Sequence, residues 1–86
     1  MKAIKLPEEL GIKKARWLYG EARKAVEAGP DCVMDFAKVR RIDCSVAQII
    51  LALQRECARQ GGNCSLRNAN ETTSRLLAYA GVKHDG

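Results

Sequence analysis

The run Cys32-Val-Met-Asp-Phe-Ala-Lys-Val-Arg-Arg-Ile-Asp-Cys-Ser-Val-Ala-Gln48, continuing as Ile49-Ile-Leu-Ala-Leu53, decides how this chain folds. It reads as a short buried strand, a loop carrying Arg40 and Arg41, and a helix opened by Asp43-Cys44-Ser45 whose apolar face begins at once. The start of a helix leaves backbone N–H groups pointing outward at the positive end of the macrodipole, where an acidic side chain or a phosphate is favoured. Asp43 to Ser45 is therefore the candidate binding or switching site.

Asp31 to Phe36 is a nearly continuous apolar strand of the kind that is covered on both faces. Asp35 interrupts it, and a charge there belongs at the strand's C-terminal end, where open α/β sheets place their sites. The helix runs from about Cys44 to Gln60 on a core stripe of Val46, Ile49, Ile50, Leu53 and Cys57, and Gly61-Gly62 stops it. Upstream, Lys2 to Leu6 alternates as a short edge strand ending at Pro7, and Glu8 to Gly11 forms a turn. A first helix follows, with Ile12, Ala15, Leu18, Tyr19, Ala22, Ala25 and Val26 at helical spacing and Gly29-Pro30 as its stop. Downstream, Asn63 to Arg67 alternates as a third strand. Asn70 caps a third helix with Glu71 at its positive end, and Leu76, Leu77 and Ala80 precede the closing Gly81. Strands alternating with helices imply right-handed crossovers, hence an α/β fold with a small, mainly parallel sheet and helices packed on it.

At 86 residues the chain is expected to form one domain, residues 1–86, of marginal stability. Its hydrophobic share of 47% beside 29% charged residues is that of a globular protein, and no apolar run approaches the roughly 20 residues that span a bilayer. The N-terminal Met1-Lys-Ala-Ile-Lys-Leu-Pro7 lacks a secretory core, so a cytoplasmic location is expected. The four cysteines form no C-x-x-C pair and have only His84 for company, so neither zinc nor a redox motif is spelled out, and no metal or cofactor is expected. Cys32, Cys57 and Cys64 fall at apolar positions and read as small buried hydrophobes. The net charge of +5 is spread over every segment, aromatics are 5%, and no nucleic-acid motif appears; a solvated basic surface is the reading, with no nucleic acid as partner.

Several residues carry candidate roles. Asp43 either contacts a partner or complements the dipole of its own helix, roles that are compatible. Ser45 is either a modification site or a helix-start hydroxyl binding a backbone N–H. Cys44 has a positive neighbourhood in Arg40, Arg41 and the helix start, which favours thiolate, but Asp43 opposes this and no histidine base is near in sequence, so an enzyme is not expected. Trp17 lies about 140° from Ile12 around the first helix, nearly opposite the apolar stripe. It is either an exposed partner anchor or a ring lying along the stems of Lys13, Lys14 and Glu21.

The order of landmarks Leu6-Pro7, Val33-Met-Asp35, Ile42-Asp43, Gly61-Gly62, Leu76-Leu77 and Gly81-Val82 resembles the STAS family, named for sulphate transporters and antagonists of anti-sigma factors. That resemblance covers nearly the whole chain. It implies a protein-binding regulatory module of signal transduction whose partner surface is the helix-start loop 40–48, with Arg40, Arg41, Asp43, Cys44, Ser45 and Gln48, beside Asp35. The implied partner is a kinase-type anti-sigma factor or a chemotaxis-type histidine kinase; the alternative is an accessory subunit docking on the ATPase of a lipid-transporting ABC system. Two departures stand out. Family members usually begin with one more strand, so a free sheet edge and a weak homodimer are expected. Switching members carry serine or threonine directly after the helix-start aspartate, where this chain has Cys44; Ser45, one residue on, is the nearest candidate for phosphorylation.

Overall fold

In the computed structural model, which describes residues 2–82, the strands are β1 (Lys2–Lys5), β2 (Glu9–Leu10), β3 (Cys32–Asp35), β4 (Arg41–Ile42) and β5 (Cys64–Arg67). The helices are α1 (Ile12–Ala28), α2 (Cys44–Arg59) and α3 (Glu71–Tyr79). His84, the histidine noted beside the cysteines, lies outside the described residues.

β1, β3 and β5 form a wholly parallel sheet in the order β1-β3-β5, with Ile4, Met34 and Leu66 in one register row and Lys2, Cys32 and Cys64 in another. Both crossovers advance in the same direction across the sheet, and crossovers of one hand then lay α1 and α2 on the same face. Ile4, Cys32, Met34, Cys64 and Leu66 point to that face and all are buried. Side chains alternate along a strand, so Ala3, Val33 and Ser65, then Lys5, Asp35 and Arg67, share the opposite face. Val33 is buried there too, whereas Lys5 and Arg67 are exposed and Asp35 is half-buried. The uninterrupted apolar run of β3 is thus explained by burial on both faces up to Asp35.

The core is one contiguous cluster built on Ile4, Leu10, Leu18, Met34, Phe36, Val46, Ile50 and Leu77. In α2 the core residues are Val46, Ala47, Ile50, Leu53 and Cys57, with Ile49 half-buried at the margin. α1 differs from expectation. Leu18, Ala22 and Ala25 are buried, but Ile12 and Tyr19, assigned above to its apolar stripe, are 72% and 57% exposed. A stripe of seven residues is wider than the arc a helix lays on a small sheet. Tyr19 is turned about 100° from Leu18, and Ile12, seven residues before Tyr19, lies on the same flank.

Glu8 to Gly11 also departs from expectation. Instead of a plain turn it contains β2, which pairs in parallel with β4, Glu9 opposite Arg41 and Leu10 opposite Ile42. Arg40 N–H donates to the Glu8 carbonyl at 2.8 Å and Asp43 N–H to the Leu10 carbonyl at 2.9 Å, extending this ribbon at both ends. α1 and α2 each begin directly after it, so their first turns lie side by side.

Candidate functional site

The start of α2 is built by Asp43. Its backbone is extended, and its Oδ1 accepts from the Ser45 backbone N–H and from the Ser45 hydroxyl, both at 2.8 Å. Asp43 is therefore the cap. Ser45 does not bind a backbone N–H through its hydroxyl, as one reading of the sequence had it; the hydroxyl donates to the aspartate. The N–H bond first, and the hydroxyl bond with it, hold the Asp43 carboxyl below its ordinary value, so it stays ionised near neutral pH. Asp43 and Cys44 are exposed and Ser45 is half-buried.

The neighbouring start of α1 is the opposite case. Its cap residue, Gly11, makes no side-chain cap bond, and its first turn carries no acidic residue. Lys13 and Lys14 are there instead, both exposed. One shallow depression is lined by Glu9, Leu10, Gly11, Arg41, Ile42 and Asp43, joining the two helix starts through the ribbon between them. Arg40 lies at its edge in an ion pair with Glu8, Nη1 to Oε1 3.0 Å, and Arg41 is exposed on β4.

Gln48 extends the site in another direction. It is exposed one turn beyond Cys44, and it lines a groove of about 500 Å3 between α1 and α2. Tyr19, Arg23 and Val26 form one wall, and Ile49, Ala52 and Glu56 the other. Spacing of 100° per residue puts Ser45, Ile49, Ala52 and Glu56 on one flank of α2, so the half-buried serine stands at the head of the groove wall. Sequence reading missed this groove because Ile12 and Tyr19 looked like core; a polar Gly20-Glu21 beside Tyr19 was the available sign that the stripe was too wide.

Two predicted site residues are not part of this constellation. Asp35 is at the C-terminal end of β3, as expected, but lines a separate depression with Lys5, Leu6, Ala37 and Lys38. Its Oδ1 accepts from Asn68 Nδ2 at 3.1 Å and from Ala37 N–H at 2.9 Å, and these two bonds, the Asn68 one first, lower its pKa. Among the described residues Asn68 is the non-glycine residue with a left-handed backbone, φ 63°, and the bond to Asp35 ties that turn to β3. Asp35 thus joins the ends of two strands. Trp17, 39% exposed, is two residues from Tyr19 and so about 200° round α1, on the flank away from α2. It belongs to a different surface from Asp43. Among the described residues no group of His, Cys, Asp and Glu side chains is arranged to hold a metal ion, and no helix is long and apolar enough to cross a membrane.

A one-directional parallel sheet with paired helix starts beside a short second ribbon defines a small α/β domain. The Mlab, STAS domain profile matches residues 2–84, and the chain belongs to the STAS domain family. The fold is similar to that of TM1081 from Thermotoga maritima, described as an anti-sigma factor antagonist, in a crystal structure (TM-score 0.79, 19% identity, 98% of this chain and 80% of that one). The NMR structure of TM1081 gives a TM-score of 0.78 at 19% identity, with 96% and 71% covered. The anti-sigma factor antagonist SpoIIAA in its unphosphorylated form is similar at TM-score 0.79 and 20% identity, covering 98% of this chain and 77% of that one. No curated protein sequence matches.

Proposed function

We propose that this chain is a non-catalytic regulatory module of the anti-sigma factor antagonist type, which acts by binding a protein through loop 40–48. The observation that carries the reading is the α2 start: an ionised, exposed Asp43 bonded twice by Ser45, on a helix anchored in the core by Val46, Ala47, Ile50, Leu53 and Cys57. The fold shared with TM1081 and SpoIIAA supports it. The partner in this reading is a kinase-type anti-sigma factor or a chemotaxis-type histidine kinase in the cytoplasm. Arg40, Arg41, Cys44 and Gln48 complete the contact surface. Ser45 is the modification site, and its phosphate is an off-switch: it would add about −1.5 to −2 charge within hydrogen-bond distance of a carboxylate already in place.

The matching profile is of the Mlab type, and this gives weight to a second reading, an accessory subunit docking on the ATPase of a lipid-transporting ABC system through the same helix start. A pull-down from the native cell separates the two. Recovery of a GHKL-fold kinase supports the first and a transporter ATPase the second. Asp43→Lys should then abolish binding to whichever partner is recovered; native circular dichroism with unchanged affinity would show that the binding surface lies elsewhere.

A further inference from the structure

Three of the four cysteines converge on the side of the sheet that faces the helices, at the strand ends remote from Asp43. Cys32 and Cys64 are register partners on β3 and β5, and Cys57 of α2 lies over them; all three are free thiols and buried. The Cys32 and Cys64 sulfurs share a hydrogen bond of 3.1 Å in which either can donate. They are not arranged to hold a metal ion. Neighbouring strands are about 4.8 Å apart, inside the Cα separation of about 4.4–6.8 Å that a disulfide tolerates. Two thiols in contact at one rung of one ladder thus have the strand spacing that a disulfide can span.

Their chemistry is unequal. When Cys32 loses its proton, Cys64 and then Cys57 act as donors to it. These bonds outweigh burial and bring the Cys32 thiol down to about 7, while the Cys64 thiol, as donor, is pushed up. Cys57 is pushed up to about 11, chiefly by burial. Of the three, Cys32 is the thiol best suited to attack.

We propose that Cys32 and Cys64 form a reversible redox site, closing to an intramolecular disulfide on exposure to a small peroxide. The Cys32 thiolate attacks one oxygen of hydrogen peroxide, the O–O bond breaks, and hydroxide leaves to become water, with Cys32 oxidised to a sulfenic acid. The Cys64 sulfur then attacks the Cys32 sulfur; the S–S bond forms, the S–O bond breaks, and the departing hydroxide takes the Cys64 proton as a second water. Two thiols have lost two electrons and one peroxide has become two waters. The product ties covalently the two strands that α2 bridges. A dithiol reverses it by exchange.

The test uses the full chain carrying Cys44→Ser, which removes the one exposed thiol. After hydrogen peroxide treatment, unreacted thiols are capped with N-ethylmaleimide in denaturant and the protein is weighed and mapped. The expected result is a drop from three capped thiols to one, a single cross-linked peptide joining Cys32 to Cys64, and full recovery of three on adding dithiothreitol. Adding Cys64→Ser should abolish the loss of two thiols; should that variant not fold, the peptide map of the Cys44→Ser protein decides alone. Three capped thiols at a peroxide dose that fully oxidises Cys44 in the unsubstituted chain would overturn the proposal. So would a map placing Cys57 in the bond, or irreversible oxidation of Cys32.

Discussion

At Asp43 one carboxylate serves two ends. It caps α2, and because its pKa is lowered in the folded chain it contributes stability that is present above the ordinary carboxylate value and lost as pH falls through the folded one. Asp43→Asn keeps an acceptor at the cap but removes this component. Urea unfolding from neutral pH downward should therefore show the variant less stable at pH 7, with the gap to the parent closing below about pH 4. A gap that persists unchanged to pH 2 would mean that the charge plays no part. Ser45 offers the complementary experiment. Ser45→Asp places a second carboxylate against the first and should weaken both the helix start and partner binding, whereas Ser45→Ala should leave binding close to the parent's. Equal loss in both variants would show that the hydroxyl, not charge, is what the partner reads.

Between elements, the stop of α2 is the most exacting junction. Gly61 has φ +85°, which L side chains rarely adopt. At Gly62 the requirement is different: an added Cβ would lie 2.1 Å from the Pro30 carbonyl oxygen and 2.5 Å from the Pro30 Cβ. Backbone would have to move, so Gly62→Ala should cost about 2 kcal/mol or more, lowering Tm by roughly 8 °C or more in a domain of this size. A melt within 2 °C of the parent would show that the α2–β5 turn yields easily. Asn70 makes a milder case. Its Oδ1 accepts from Thr73 N–H at 2.8 Å and its Nδ2 donates to the Val39 carbonyl at 3.2 Å, so it caps α3 and ties it to the segment between β3 and β4. Asn70→Ala should cost about 1 kcal/mol, measurable by the same denaturation, with Asn70→Asp restoring part of it through the cap alone.

These junctions also mark what could be read in advance. At Asp43 only a charge suited to the helix dipole was legible and the capping bond was looked for at Ser45, whereas the three helices, the three main strands and the cap at Asn70 follow from periodicity and turn chemistry within a dozen residues of each other. β2 and β4 do not, because two-residue strands carry no period and exist only through pairing with each other across the chain. The α1–α2 groove was hidden for a related reason. Whether Tyr19 is core or rim depends on how far a second helix reaches over the first, and no local pattern holds that distance. Asp35 was legible as a strand-end charge, but its partner Asn68 follows another strand, so its linking role was not.

For the whole molecule, the outer edge of the sheet is the surface expected to pair two copies. β1 pairs only with β3 among the described residues, leaving its outer side free to meet a second strand. Lys5 is exposed on it, Pro7 limits its length, and the net charge of +5 opposes close approach of two copies. The 86-residue chain should therefore show a weak, concentration-dependent dimer in sedimentation. Strictly monomeric behaviour at high concentration would rule edge pairing out and leave Trp17, on that side of α1, for a different protein.

The ladders have one further property. Paired residues of β1 and β3 are 30 positions apart in the chain, and those of β2 with β4 and of β3 with β5 are 32 apart. No rung joins the first strand to the last. The entropy of closing a loop depends on the logarithm of its length, so every ladder demands nearly the same sacrifice of chain freedom, and neither half must wait for the other. Folding is thus free to begin at β3 and spread to either side, with the order set by side-chain burial and not by topology. A chain wired in this way has two routes to the same native state, and a lesion at one outer strand should slow one of them while leaving the other open.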